Sequence, residues 1–340
     1  ALDLLAVAPE ADADLDSQHV EAISTERWLR PAEQRAELDR WREAVGPAAL
    51  WAPLGGPTAA APIDAFHVVV WNTHVGAGSI ERLVADLRRG ALTRGIPVEH
   101  FALLLQEVYR GGDAVPAEPL PGSRSAGSIR PAASPHGRVA IDEVARRTAL
   151  HLFYVPSMRN GRSAGDPEDR GNAILATFPL ANLTAVELPF ERERRVAIAA
   201  DIAGTTSTGT PWRIRLVNLH LDAHSSGMNV QRSFGAGRVR QLQFLLDELR
   251  DDGAYAVLGG DFNSWVGGAS ERALRMPQEC GFVRGTPLGG STWKLRWFLG
   301  ILDHVFYRLP PGASAETREI ESAYGSDHRP LLGWVRLDPN

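Results

Sequence analysis

Six short apolar runs between Phe66 and Val335 each touch a residue able to bind a metal or move a proton. This recurrence constrains the fold more than any other feature of the chain. Phe66-His67-Val68-Val69-Val70-Trp71 is a β-branched run that reads as a buried strand, and it ends in Asn72. Ala102–Gln106 runs into Glu107, and Trp212–Leu219 delivers His220. Tyr255–Gly259 leads to Asp261 and Asn263, and Ile301-Leu302 meets Asp303 ahead of Val305-Phe306-Tyr307. The sixth run, Leu331–Val335, follows Ser326-Asp327-His328. Taken singly these residues are ordinary turn vocabulary, since Asn and Asp commonly terminate strands. Strands of one sheet, however, present their ends along a common edge, so the set is read as converging on one site.

Between these runs lie helical spacings at Ile80–Arg89, Val139–Ala149 and Arg238–Leu249, and further strands at His151–Val155, Asn172–Phe178, Ala181–Leu188 and Val196–Ile202. At 340 residues the length admits two domains or one large α/β domain. Residues 1–60 differ in character. Ala1–Ser17 is acidic and Ala-rich, Thr25–Val45 carries helical spacing through Trp28, Leu29, Leu38 and Trp41, and Gly55-Gly56-Pro57 closes the segment. We read an N-terminal helical extension packed through its tryptophans on a main domain of residues 61–340, because one good helix makes a poor independent core. Arg110–Arg138 lacks periodicity and reads as a long loop, either a functional lid or partly disordered, and Ala223–Gly235 reads as a second irregular loop.

Hydrophobic content of 44% with 23% charged residues leaves ample material for a core. A formal net charge of −5 argues against a protein whose main task is coating nucleic acid. Lys294 is the only lysine, and Cys280 the only cysteine, so an intrachain disulfide is excluded. No apolar run has the length to span a bilayer as a helix. The chain begins at Ala1 without Met, which suits a removed leader or a trimmed start equally, and the compartment is not legible. A monomer is the expected state.

Carboxylates and amide oxygens dominate the polar set and no cysteine takes part, which suits Mg²⁺, Mn²⁺ or Ca²⁺ better than zinc. His220 and His328 add groups that move protons near neutral pH. A hard cation, carboxylates and histidines together are what phosphate-ester hydrolysis requires.

Val70-Trp71-Asn72, Leu105-Gln106-Glu107, Asn218-Leu219-His220, Gly260-Asp261-Phe262-Asn263, Leu302-Asp303-His304-Val305-Phe306 and Ser326-Asp327-His328 resemble the successive motifs of the endonuclease/exonuclease/phosphatase superfamily, the deoxyribonuclease I-like proteins. The likeness runs from Phe66 to Leu337. It implies a four-layered α/β sandwich of two mixed β-sheets flanked by helices, with a metal-dependent phosphoesterase site at one rim. Carried onto this chain, it makes Glu107 the main metal carboxylate, with Asn72 beside it and Asp327 completing the shell. Asp261 would orient or deprotonate water, Asn263 would hold a phosphate oxygen, and Asp303 would pair with His328, as general base or phosphate contact. His220 stands where the repair nucleases of the superfamily have Tyr, which favours the deoxyribonuclease I, sphingomyelinase and 5-phosphatase side. There is one departure. Deoxyribonuclease I-like enzymes place a supporting Glu just before the strand that begins here at His151, whereas Arg147–Leu150 offers no acid.

Arg170 and Asn172, at the start of a strand beside the expected site, are weaker substrate contacts, as are His74 and Trp297. A solvated loop position is the competing reading for Arg170. Arg192, Arg194 and Arg195 interleave with Glu191 and Glu193 and read as a paired cluster. The expected function is a divalent-metal-dependent phosphodiesterase acting on nucleic acid or a phospholipid head group. A phosphomonoesterase for a small phosphate ester and a catalytically silent binding module are the alternatives.

Overall fold

The computed structural model describes residues 27–53, 61–124, 137–160, 167–223, 235–249, 255–264, 271–295 and 298–338. In chain order it begins with β1 (Arg27–Leu29), α1 (Arg35–Arg42), β2 (Ala49–Trp51), β3 (Ala65–Asn72), α2 (Ile80–Arg88), β4 (Phe101–Gly111), α3 (Ile141–Thr148) and β5 (His151–Arg159). There follow β6 (Glu168–Ala176), β7 (Ala181–Glu187), β8 (Val196–Thr205), β9 (Pro211–His220), α4 (Ala236–Glu248), β10 (Ala256–Asp261) and α5 (Arg272–Glu279). The last elements are β11 (Val283–Arg284), β12 (Trp293–Leu295), β13 (Phe298–Gly300), β14 (Asp303–Arg308), β15 (Ser314–Glu319) and β16 (Leu331–Arg336).

The layering follows from strand periodicity. In β3, Phe66, Val68 and Val70 enter one apolar cluster, while Val69 and Trp71 enter another. Side chains alternate faces along a strand, so a strand apolar on both faces has to lie between two layers. In β4, Ala102 and Leu104 join the first cluster and Phe101, Leu103 and Leu105 the second. The first cluster is the contact between two seven-stranded mixed sheets, ordered β15-β16-β3-β4-β6-β5-β2 and β1-β7-β8-β9-β10-β14-β11. The second packs Leu83, Val84 and Leu87 of α2 and Ile141, Val144 and Ala145 of α3 on the outside of the first sheet. A third sets Leu242 and Leu245 of α4 and Ala273, Leu274 and Met276 of α5 against the outside of the other. The result is the four-layered α/β sandwich.

Polar ties cross the sheet interface. Asn218 Nδ2 donates to the carbonyls of Leu105 and Ala173, each at 2.8 Å, and Gln106 Nε2 donates to Asn218 Oδ1 at 2.7 Å. Buried amides paired in this way set the register of one sheet on the other.

The helix expected over Thr25–Val45 is confined to α1 and flanked by two short strands. Pro31 disfavours a helical Arg30 and removes an N–H, so Arg27–Leu29 stays extended. β1 pairs parallel with β7, and β2 pairs antiparallel with β5, so the segment contributes an edge strand to each sheet. No helix among the described residues is long and apolar enough to cross a membrane.

Candidate active site

Strand register sets three chemistry-bearing residues side by side. β9 and β10 pair parallel with His220 opposite Asp261, and β10 and β14 pair antiparallel with Asp261 opposite Asp303. The residue before Asp261 has to be glycine. Gly260 has φ +153°, and a Cβ there would lie 1.9 Å from the Leu219 carbonyl oxygen. Gly260→Ala is therefore expected to cost about 3 kcal/mol or more, read as a lowered denaturation midpoint, with loss of activity.

The other sheet contributes Asn72 and Glu107. Glu107 does not end its strand as the apolar pattern implies, because β4 continues to Gly111. The β4–β6 register shifts between Leu105 and Val108, and Glu107 has φ +52°. This is a bulge, which re-aims one side chain out of the pleat. Thr73 holds it there, its Oγ1 donating to the carbonyls of Gln106 and Glu107 at 3.0 Å, while the Gly76 N–H donates to the Glu107 carbonyl at 3.1 Å. Asn72 bridges the sheets, its Nδ2 donating to Asp261 Oδ2 at 3.0 Å and its Oδ1 accepting the His74 N–H.

Ser326-Asp327-His328 is stapled onto the end of β3. Ser326 Oγ donates to the Asn72 carbonyl at 2.7 Å and accepts the His328 N–H, and Trp71 Nε1 donates to the His328 carbonyl at 3.0 Å. The His328 ring is bonded through Nδ1 to Asp303 Oδ2 at 2.7 Å, with Nε2 4.0 Å from Asp261 Oδ2. Burial opposes charge on this imidazole, but Asp303, Asp261 and Asp327 outweigh it and raise the pKa to about 10. Asp261 is pushed up to about 7, first by burial and then by the Asp303 charge. Asp327 receives Trp293 Nε1 at 3.3 Å and lies 3.0 Å from His74 Nδ1. That contact, the strongest influence on His74, raises its pKa.

His220 meets an arginine. Arg195 Nη1 lies 3.1 Å and 3.2 Å from the two ring nitrogens, and Asp261 Oδ2 lies 3.5 Å from Nε2. Burial, then Arg195 and Arg170, lowers the His220 pKa well below its ordinary value, so the ring is neutral. Arg170 is not a solvated loop charge. It lies in β6, 3% exposed, with Nη1 4.0 Å from Glu107 Oε2. Arg170 Nε and Nη1 and Arg195 Nε are buried without a hydrogen-bond partner among the described residues. Buried donors left unpaired in a charged site mark where an anion fits.

Arg195 went unrecognised in the sequence because its neighbours suggested pairing with Glu191 and Glu193. Glu191 pairs with Arg240, Glu187 pairs with Arg194, and only Glu193 reaches Arg195, at 3.2 Å. The usable signal was its place immediately before β8, where successive side chains face opposite ways. Asn263, with φ +50°, donates its N–H to Asp261 Oδ1 at 2.8 Å and its Nδ2 to the Leu221 carbonyl at 2.9 Å. Asn172 Nδ2 donates to the Val196 carbonyl at 2.6 Å and ties the sheets together. Trp297 lies outside the described residues.

The model of the endonuclease/exonuclease/phosphatase family matches residues 69–328. The chain belongs to that family. Its members hydrolyse phosphoester bonds and generally use divalent metals. An endonuclease/exonuclease/phosphatase from Beutenbergia cavernae superposes with a TM-score of 0.55 at 17% identity, over 81% of this chain and 72% of that one. The human nocturnin catalytic domain superposes with a TM-score of 0.47 at 16% identity, over 80% of this chain and 94% of that one. A UPF0294 protein of Vibrio cholerae is 40% identical over 103 residues, 29% of this chain and 34% of that protein. This endonuclease/exonuclease/phosphatase chain thus spans about a third of that relative.

Two places in the site offer donors to a hard cation. Asp261, Asp303 and His328 carry ligand atoms within 4.8 Å of one another, and Asp303 Oδ1 is buried with no hydrogen-bond partner among the described residues. There, however, the raised His328 already supplies the positive charge. The second place is Glu107, aimed by the bulge and more open to solvent, whose carboxylate oxygens suit a hard, oxygen-preferring cation.

Proposed function

We propose that this chain is a divalent-metal-dependent phosphoester hydrolase that cleaves a phosphodiester, of nucleic acid or of a phospholipid head group. The observation that carries the reading is the bonded Asp303–His328 pair beside Asp261, facing two buried arginines with unpaired N–H groups. Glu107, with Asn72 and Asp327, would hold the cation, which would supply Lewis-acid polarisation of a phosphoryl oxygen. Arg170 and Arg195 direct N–H groups at the non-bridging oxygens, the contact for which a planar guanidinium is suited. Asp261, with a pKa near 7, takes the proton of the attacking water, since a base works best when its pKa lies near the working pH. Asn72 and Asn263 fix that carboxylate by donating to its two oxygens. His328, held charged by Asp303, donates from Nε2 to the oxygen on which negative charge builds. His220 is neutral and orients Asp261 and Arg195, which replaces the proton-donor role that the missing acid would have supported.

Hydrolysis of bis(p-nitrophenyl) phosphate with Mg²⁺ or Mn²⁺ is the expected result, with EDTA abolishing it and the monoester p-nitrophenyl phosphate a poorer substrate. Plasmid DNA, RNA and sphingomyelin then separate the substrate classes. A metal-loaded chain that turns over no phosphoester in such a panel refutes the reading.

A further inference from the structure

Of the two arginines of the site, Arg170 lies in β6 and Arg195 just before β8, yet both are backed by the same N-terminal segment. Arg195 closes the stretch between β7 and β8. In the middle of that stretch Gln34 grips the Phe190 backbone from both sides, its Nε2 donating to the carbonyl at 3.1 Å and its Oε1 accepting the N–H at 2.6 Å. Arg30 Nη2 lies 2.8 Å from Glu187 Oε2, and Glu187 Oε1 in turn accepts Arg194 Nε at 2.7 Å. Arg194 also donates to the carbonyls of Pro156 and Ser157, at 2.7 and 2.9 Å. With Arg194 drawn to that side, the next side chain in extended backbone faces the other way, and Arg195 meets His220.

Arg170 is backed from the same segment. Its Nη2 contacts Met158 Sδ at 3.4 Å, and Met158 packs in a small apolar cluster with Trp41 of α1 and Phe190. Trp41 and Phe190 lie 6.1 Å apart, ring to ring. Its chain neighbour Asp169, fully buried, accepts the Gly46 N–H at 2.9 Å and two bonds from Arg110, while Arg110 Nη1 donates to the Pro47 carbonyl. Gly46 admits no side chain here, because a Cβ would lie 2.2 Å from the Ala114 carbonyl oxygen.

We propose that residues 30–47 form a clamp that positions the Arg195 and Arg170 guanidinium groups to bind the phosphoryl group, with Gln34 and Trp41 as positioning residues acting through Phe190 and Met158. The inference rests on the hydrolase reading only through the anion that the arginines hold. The segment touches neither Asp261 nor His328 in any contact described above, so its loss weakens anion binding and leaves the proton-transfer groups in place.

Gln34→Ala is expected to raise the KM for bis(p-nitrophenyl) phosphate and the dissociation constant for inorganic phosphate by about tenfold each, with kcat changed far less. In an Arg195→Lys background the same substitution adds less than about twofold, since residues acting through one another are not additive. Trp41→Leu, which loosens the support behind Met158, moves phosphate binding in the same direction and serves if Gln34→Ala fails to fold. Calorimetry with inorganic phosphate reads the clamp without turnover. A wild-type chain that hydrolyses the diester but binds phosphate as tightly as both folded variants do overturns the clamp and leaves the hydrolase reading intact. Full additivity with Arg195→Lys also overturns it. A chain that binds phosphate, loses that binding in Gln34→Ala and turns over no ester keeps the clamp and sinks the hydrolase reading.

Discussion

Asp261→Asn is expected to lower kcat by about 10⁴-fold while leaving the fold as stable as wild type, or more so, above neutral pH. The substitution keeps the shape of the side chain and one oxygen, which can still accept the Asn263 N–H at 2.8 Å; the bond from Asn72 Nδ2, made to the other oxygen at 3.0 Å, is lost at a cost of about 1 kcal/mol. What it removes is a carboxylate that the fold holds at a cost. The folded pKa of about 7 exceeds that of an unfolded aspartate, so the native state binds this proton more tightly than the unfolded chain does. Ionised Asp261 therefore destabilises the fold increasingly as pH climbs from about 4 through about 7, and asparagine escapes that penalty. His328 works in the opposite sense. Its folded pKa of about 10 stabilises the fold below about 6.5, and that contribution is lost as pH rises through 10. Asp303, bonded to the ring, outranks Asp261 in holding that charge, so most of the contribution survives the substitution. Thermal unfolding in EDTA at pH 8, beside steady-state rates with metal, tests both halves. A variant that loses activity and melts several degrees below wild type would show that Asp261 is a structural ligand of the rim and not its base.

The parts of this architecture legible in the sequence are those that local pattern determines. β3, β9 and β10 are β-branched or apolar runs closed by a polar residue, and α4 sits where its dense leucines place it. Elements whose reason for existing lies elsewhere in the chain were not legible. β15, Ser314–Glu319, contains a single alanine as its apolar residue and is a strand because β16 beside it offers unpaired backbone groups. β1 and β2 are edge strands of three residues, too short for any period, and exist because each sheet has an edge to cover. α5 contains Pro277, which argues against a helix locally, while its packing on α4 and the second sheet favours one. Within the site, the sequence supplied the residue types but not their directions. The bulge at Glu107 depends on the offset of β6 against β4, and the placing of Arg195 depends on Glu187 taking Arg194 to the opposite side. His304 shows the converse. Adjacent to Asp303 in one of the motifs, it is fully buried, bonded to Ser264 at 2.8 Å and driven to a pKa of about 3 by burial and then Arg284. It belongs to the packing behind the site.

Glu107→Gln is expected to remove the stabilisation that Mg²⁺ or Mn²⁺ gives the wild-type chain, and with it the metal-dependent rate. A ligand that binds only the native state stabilises it by about 2.7 kcal/mol at a hundred times its dissociation constant. For a chain of this size that is a rise of several degrees in melting temperature. Glutamine keeps the length of the side chain and the bulge that aims it, but offers a neutral oxygen where a hard cation needs charge. The two possible positions for the ion then give opposite patterns. If it binds at Glu107, Glu107→Gln abolishes the metal-induced shift and Asp261→Asn retains it. If it binds among Asp261, Asp303 and His328, it has to displace the charge of the imidazole bonded to Asp303 at 2.7 Å. The pattern then reverses, and metal affinity falls steeply as His328 becomes protonated. The charge on His328 favours the first outcome, because the second requires an imidazole with a pKa of about 10 to give up its Nε2 proton before the ring can act as a ligand.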